Sequence, residues 1–309
     1  MYKGLVVATV VRAYNEEALI GRTLRRIPEF VDFIVVVDDA STDRTADNVR
    51  GVEDPRINLI QHESNTGVGG ATCDGHRYAL DKGADVVVVI DGDDQMDPAY
   101  MAPLIDPIAH DGVKFTKGNR FGDLISLRDM PTIRLLGNVG MSFLTKAASG
   151  YWNLFDPQNG YTAIHRSALE RIDLDHISRG YSFENDLLIT LNILGVSARD
   201  VRMPTIYGDE VSHLHIGREA PRLAWLMFRG FWRRMVLKYV FPSFSAVALL
   251  FFSGLALCLI GGGFGVFAVI QSISATPTAG TVLLAVAPML TGIYLLVQSL
   301  VLDMVEGGR

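Results

Sequence analysis

The chain has 309 residues, 49% of them hydrophobic, and a net charge of −6. Such a chain is too apolar for an average soluble protein and too acidic to make nucleic acid its main partner. The length allows one large α/β domain plus something smaller, and two distant cysteines, Cys73 and Cys258, give neither a disulfide framework nor metal-ligand spacing.

The first residues lack a signal-peptide layout, because polar residues resume at Arg12 and a helix pattern follows, so the first domain is expected in the cytoplasm. Leu5–Val11 reads as a first strand. Asn15 is placed to cap a helix with Glu16 and Glu17 in its first turn, and Leu19, Ile20, Leu24 and Ile27 keep helical spacing. Phe33–Val37 is a second strand, ending in Asp38-Asp39-Ala40-Ser41-Thr42-Asp43, where Ser41 or Thr42 can cap the next helix. Ile57–Gln61 is a third strand. A helix then opens at Asn65-Thr66-Gly67-Val68-Gly69-Gly70 and runs to Lys82. Its glycines follow the third strand rather than the first and lack a dinucleotide fingerprint, so they suit close packing beneath a cleft. Short connections between alternating strands and helices predict a mostly parallel, doubly wound sheet.

The fourth strand, Val86–Ile90, leads into Asp91-Gly92-Asp93-Asp94-Gln95. In open α/β sheets, ligands sit at the carboxyl ends of strands. Carboxylates one residue apart, with an amide oxygen two further on, suit a hard divalent cation, although a solvated acidic turn would read the same way. Further on, Phe115–Phe121 looks like a strand ending in basic Arg120. A helix is expected from Ile133 to Ala148, and a loop at Asp156-Pro157-Gln158-Asn159-Gly160 before a strand. Another helix begins near Ser182, with Glu184 and Asp186 at its N-terminal end.

From Tyr239 to Leu302 the chain carries no Lys, Arg, Asp, Glu or His. A polar, helix-breaking run at 271–280 splits this stretch into candidate spans 246–270 and 281–302, each above the ~20 residues a bilayer requires. Arg222, Arg229, Arg233, Arg234 and Lys238 precede it and place that flank in the cytoplasm. With Trp225 and Trp232, residues 218–240 suit an amphipathic helix in the membrane interface. The expected domains are therefore 1–217, 218–240 and 241–309.

Taken together, Tyr14-Asn15-Glu16, Asp38-Asp39-Ala40-Ser41-Thr42-Asp43, Asn65-Thr66-Gly67-Val68-Gly69, Asp91–Gln95 and Gly118-Asn119-Arg120-Phe121 resemble, in order and spacing, the inverting family-2 glycosyltransferases of GT-A fold. The hairpin resembles their polyprenyl-phosphate, dolichyl-phosphate mannose synthase-like branch. Two departures stand out: Arg12-Ala13 replaces the proline usual before the tyrosine, and Asp156–Gly160 differs from the commonest versions of that segment.

The resemblance implies transfer of one sugar from a UDP- or GDP-sugar to a membrane polyprenyl phosphate, with Mg²⁺ or Mn²⁺ as cofactor and membrane lipid and further copies of the chain as partners. It assigns the metal to Asp91, Asp93 and Gln95, and the nucleotide sugar to Tyr14, Asn15, Glu16, Asp38, Asp39, Asp91 and Asp93. The acceptor phosphate falls to Arg120 and Arg134, whose guanidinium forks match phosphate oxygens. Arg128 is a weaker choice. Asp93, Arg120, Arg134 and Asp156 are the expected catalytic set, with Glu184, Asp186, His213 and His215 as further candidates. An already ionised lipid phosphate needs no general base. A processive polysaccharide synthase would carry Gln-x-x-Arg-Trp and more spans, and neither is found. A membrane-anchored nucleotide-sugar binder without turnover is the non-enzymatic alternative.

Overall fold

The computed structural model describes residues 1–120, 132–204, 216–273 and 276–307, with the backbone alone described at 132–139 and 216–220. It divides into two compact units, Met1–Phe231 and Trp232–Arg309.

The strands of the first unit are β1 (Val7–Ala13), β2 (Phe33–Asp38), β3 (Ile57–Gln61), β4 (Val86–Asp91), β5 (Phe115–Asn119), β6 (Thr162–His165) and β7 (Ala198–Arg202). They form one sheet in the order β3-β2-β1-β4-β6-β5-β7. The helices are α1 (Ile20–Arg25), α2 (Thr45–Arg50), α3 (Gly67–Asp81), α4 (Met101–His110), α5 (Thr132–Ser149), α6 (Arg166–Leu169), α7 (Phe183–Ile193) and α8 (Ile216–Arg234).

The central strands are Val- and Ile-rich because both faces are covered. On one face Val10, Val35, Val37, Val87 and Val89 pack with Ala71 and Cys73 of α3 and Leu187, Leu188 and Leu191 of α7. On the other, Val11, Ile34, Val36, Val88 and Ile90 pack with Ile20 and Leu24 of α1 and Met101, Leu104 and Ile105 of α4. Each buried Val, Leu, Ile or Met among them contributes about 1.5–3 kcal/mol. Both faces being apolar is what the unbroken apolar runs encode.

Strands β3, β2, β1 and β4 are mutually parallel, whereas β6 runs antiparallel to β4 and β5, and β7 is parallel to β5. The carboxyl ends of β1, β2, β4, β5 and β7 therefore reach one edge, where the chain enters β6. That edge carries the chemistry.

Local readings are corrected at three places. The first helix starts at Ile20 rather than near Asn15, because Asn15 adopts φ +57° and its side chain accepts from Thr42 N at 2.8 Å. The helix α2 is opened by Asp43, which accepts from Thr45 N at 2.9 Å, while Ser41 accepts from Asn15 N at 2.9 Å. The expected scheme also lacked α4, α6 and β7. The last is a mixed-polarity edge strand with no apolar run to mark it.

The exposed face of α8 carries Arg222, Trp225, Phe228 and Arg229, with the Trp225 and Phe228 rings stacked at 5.7 Å. Its buried face puts Leu223 and Met227 against Ala148 and Ile189. The second unit continues through a π-helical turn, Met235–Val240, into α9 (Ala246–Gln271) and α10 (Ala279–Gly307). These are two helices long and apolar enough to cross a membrane, with mean hydropathy of 2.2 and 2.0. They pack closely at glycines: a Cβ on Gly254 would lie 2.9 Å from Gly292 O, so a larger residue would force them apart. One flanking cation departs from the expected interface role. Arg234 is fully buried and donates to both oxygens of Asp303, at 2.5 and 3.1 Å, and Tyr239 Oη donates to the same carboxylate at 2.6 Å. A buried guanidinium needs such partners, which α10 supplies by running past Leu302.

Candidate active site

A cleft of about 130 Å³ lies at the carboxyl edge of the sheet. Its first wall is the turn after β4. Gly92 N donates to Arg12 O at 2.8 Å, and Thr23 Oγ1 donates to Gly92 O at 3.0 Å, so this turn is tied to β1 and α1. Asp94, at φ +56°, points its carboxylate to Arg22 and Arg26, the latter at 2.7 Å. Asp91, Asp93 and Gln95 line the cleft instead, and Asp93 Oδ1 accepts from Gln95 N at 3.0 Å. The alternation sorts the acidic run into cleft oxygens and a structural anchor.

Arg120, just past β5, also lines this cleft. Its Nε donates to Asp156 Oδ2 at 2.7 Å and its Nη2 to Asp156 Oδ1 at 3.2 Å. Asp156 is fully buried and lies behind the arginine rather than on the cleft wall. A bidentate pair with a buried acid fixes the plane of the guanidinium.

The floor is the segment before β6, Gln158 to Tyr161. Buried Lys117 donates from Nζ to Asn159 O, and Asn159 Nδ2 donates to Gly118 O at 2.9 Å. Burial pushes the Lys117 ammonium down to about 8, against the pull of Glu184, Asp156 and Asp200. Beneath Gly160 lies Arg12, with Nε 2.7 Å from Asp91 Oδ1 and Nη1 3.3 Å from Glu184 Oε1. His76 is buried beside it, and burial followed by the Arg12 charge lowers its pKa to about 3, so it is neutral. Neither Arg12 nor Lys117 was among the site residues read from sequence. The available signal for Arg12 was a cation within an otherwise mostly apolar strand, whereas Lys117 lies in the mixed strand Phe115–Asn119, which offers no such contrast.

Tyr14, Asn15, Glu16, Asp38 and Asp39 gather at the neighbouring ends of β1 and β2 and do not line this cleft. Tyr14 is half-exposed, and Glu16 N donates to Thr45 Oγ1 at 2.7 Å. Asp38 accepts from Ser41 N at 3.0 Å. Asp39 accepts from Thr66 N, Thr66 Oγ1 and Gly67 N, each at 2.8 Å, and is 2.7 Å from His62 Nδ1. Burial would raise its pKa, but these bonds overturn that and hold it below the usual carboxylate range. Gly67 there has φ +82°, and a Cβ would sit 2.7 Å from Arg179 O, so only glycine fits.

Asp186 accepts from Ser178 N at 3.0 Å and braces the loop that α3 packs on. Arg134 falls in the first turn of α5, with its side chain outside the described residues. Phe121, Arg128, His213 and His215 also lie outside the described residues.

The donor set fits a hard divalent cation. Among the described residues no group of three or more His, Cys, Asp or Glu could enclose a metal alone. Magnesium-type sites use one or two carboxylates and leave the remaining positions to substrate phosphates and water. Asp93 and Gln95 match that pattern, with Asp91 beside them and already gripped by Arg12.

A mostly parallel sheet with an acidic turn at its carboxyl edge and an arginine lining the same cleft has groups suited to a cation and to anionic oxygens. Residues 9–173 match the model of glycosyl transferase family 2, and the chain belongs to that family. It is 30% identical over 217 residues to the UDP-N-acetylglucosamine–dolichyl-phosphate N-acetylglucosaminyltransferase of Methanococcus voltae, covering 65% of this chain and 86% of that protein. It is 32% identical over 206 residues to the undecaprenyl-phosphate mannosyltransferase of Micrococcus luteus, covering 65% and 83%. Glucosyl-3-phosphoglycerate synthase of Mycobacterium tuberculosis, solved with Mn²⁺, UDP and glucosyl-3-phosphoglycerate, superposes with a TM-score of 0.56 at 22% identity over 75% of this chain and 80% of that one. At that identity the likeness speaks for the fold, which is GT-A.

Proposed function

We propose that the chain is an inverting, metal-dependent glycosyltransferase that moves one sugar from a nucleotide sugar to a polyprenyl phosphate. The observation that carries this reading is one cleft lined by Asp91, Asp93 and Gln95 together with Arg120. Carboxylates suit the cation of a nucleoside diphosphate, and a guanidinium fork suits an acceptor phosphate. The relatives from Methanococcus voltae and Micrococcus luteus, named for a dolichyl and an undecaprenyl phosphate, support that acceptor class.

Transfer breaks the bond from the sugar C1 to the diphosphate oxygen, and the electron pair leaves with the diphosphate. Mg²⁺ or Mn²⁺, when bound, supplies Lewis acidity to that leaving group. Asp93 and Gln95 would hold it, with Asp91 orienting the donor. Arg120 aims the acceptor phosphate, whose oxygen attacks C1 from the side opposite the diphosphate and inverts the centre. Because that phosphate is already ionised, positioning and charge stabilisation suffice without a general base. Asp156 then acts as a positioning residue through Arg120. Arg134 is the proposed second phosphate contact. The loops holding Tyr14, Asn15, Glu16, Asp38 and Asp39 are the proposed nucleotide pocket, and His213 and His215 are assigned to the donor diphosphate.

The two apolar helices would tether the enzyme where its acceptor lies. The Arg222, Trp225, Phe228 and Arg229 face has the composition of a headgroup-level surface. The basic residues before α9 support a cytoplasmic side for the catalytic unit. A screen of UDP- and GDP-sugars against a short polyprenyl phosphate, read by mass spectrometry, tests the reading. One sugar-phosphate lipid is expected. Nucleotide binding without product from any donor would instead identify a binder without turnover.

A further inference from the structure

Position 12 is an anomaly in an apolar strand. β1 is buried at every position, and the Arg12 side chain is only 7% exposed. Removing a guanidinium from water is costly, and well-packed apolar residues often replace buried ion pairs with no loss of stability. Stability alone therefore does not account for an arginine here.

What it touches is specific. Its Nε and Nη2 both donate to Asp91 Oδ1, at 2.7 and 2.6 Å, while Nη1 reaches Glu184 Oε1 at 3.3 Å and Thr72 Oγ1 at 3.5 Å. Its carbonyl accepts from Gly92 N at 2.8 Å, so side chain and main chain grip two consecutive residues of the acidic turn. Gly160 on the cleft floor approaches the guanidinium so closely that a Cβ there would collide with it. Arg12 thus joins the first wall of the cleft to its floor and, through Glu184, to α7.

We infer that Arg12 is a positioning residue of the donor site: clamped between Asp91 and Glu184, it fixes the orientation of Asp91 and the turn that presents Asp93 and Gln95 to the cation. This rests on the proposed reading of the cleft as a nucleotide-sugar site. Asp91 Oδ1, committed to two donors of one guanidinium, serves the turn, and the cation falls to the two residues beyond it. Lysine cannot reproduce this grip, since a point charge cannot bridge two carboxylates as a planar fork does.

The experiment uses the full chain in lipid nanodiscs, with Mn²⁺ binding followed by electron paramagnetic resonance in the presence of UDP or GDP, alongside donor and acceptor KM. For Arg12→Lys a melting temperature within about 3 °C of wild type is expected. Its Mn²⁺–nucleotide affinity should fall by about 10-fold, in the range seen when residues supporting metal ligands are altered. Donor KM should rise in parallel and acceptor KM should not move. Arg12→Met should lose about 100-fold on the same scale. Variants that bind Mn²⁺ and nucleotide like wild type, or that lose donor and acceptor affinity equally, overturn the inference. If neither variant folds, Glu184→Gln serves: a weakening of about 10-fold with the melting temperature retained supports it, and unchanged binding overturns it. Wild-type protein that binds Mn²⁺ with neither nucleotide overturns the donor-site reading itself, an outcome distinct from variants that match a binding wild type.

Discussion

Arg120 and Asp156 form a two-point ion pair, 2.7 and 3.2 Å, in which the acid is fully buried and the arginine reaches the cleft. The pair sets the plane in which Arg120 can meet a phosphate. Asp156→Asn removes the charge and should raise acceptor KM by about 10-fold, the loss of one charge-assisted bond, with donor KM unchanged. Arg120→Lys should not restore wild-type acceptor affinity, because an ammonium lacks the fork. Steady-state kinetics with a short polyprenyl phosphate checks both.

The acidic turn should divide its labour by position. Asp93→Ala should lower lipid-product formation by at least about 100-fold, as expected for loss of a group that stabilises developing charge. Asp94→Asn should keep donor KM, since Asp94 faces Arg22 and Arg26 and asparagine tolerates its φ of +56°. Its effect should be a melting temperature lower by a few degrees, because a buried carboxylate loses its charge beside two partly exposed arginines. Thermal melts and product assays on the two variants separate the roles.

Asp39 ties the end of β2 to the start of α3 through Thr66, Gly67 and His62. Asp39→Ala leaves buried donors unpaired and should cost about 2–4 kcal/mol. The loss should appear first as faster hydrogen exchange at Thr66–Gly70, and exchange equal to wild type there would remove the anchoring role.

Lys117 makes stability depend on pH in a stated direction. Its folded pKa is about 8 against 10.5 for the free side chain, so between those values the unfolded chain binds more protons. Its contribution to stability therefore rises as pH increases from about 8 to 10.5, and is constant below. The stability of wild type relative to Lys117→Met should grow across that window by at most about 3 kcal/mol. A flat difference would mean that the folded lysine keeps its proton across the window, as the unfolded chain does.

Arg234 and Asp303 offer a test of the second unit by itself. Breaking the pair with Asp303→Leu should destabilise by about 3–5 kcal/mol, because it strands a buried guanidinium. Adding Arg234→Met should recover most of that loss, read as melting temperature in nanodiscs.

Much of this molecule is written in local sequence. The Val- and Ile-rich strands, the acidic turn after β4 and the two spans are encoded by runs of like residues, whose burial follows from hydrophobicity and length. For the same reason Asp91, Asp93, Gln95 and Arg120 could be named in advance, since each lies at or just past a strand end where a parallel sheet presents side chains. What could not be read locally was partnership. Asp156 stands behind Arg120, Arg12 joins Asp91 to Glu184 far along the chain, Lys117 supports Asn159, and Arg234 leaves the interface for Asp303. Asp156, Arg12, Lys117 and Arg234 are buried, and a buried charge must be satisfied by whatever oxygen or nitrogen the folded chain brings within reach. Sequence periodicity decides which residues go inside, but only the strand order and the packing of α7 and α10 decide which opposite charge is waiting there.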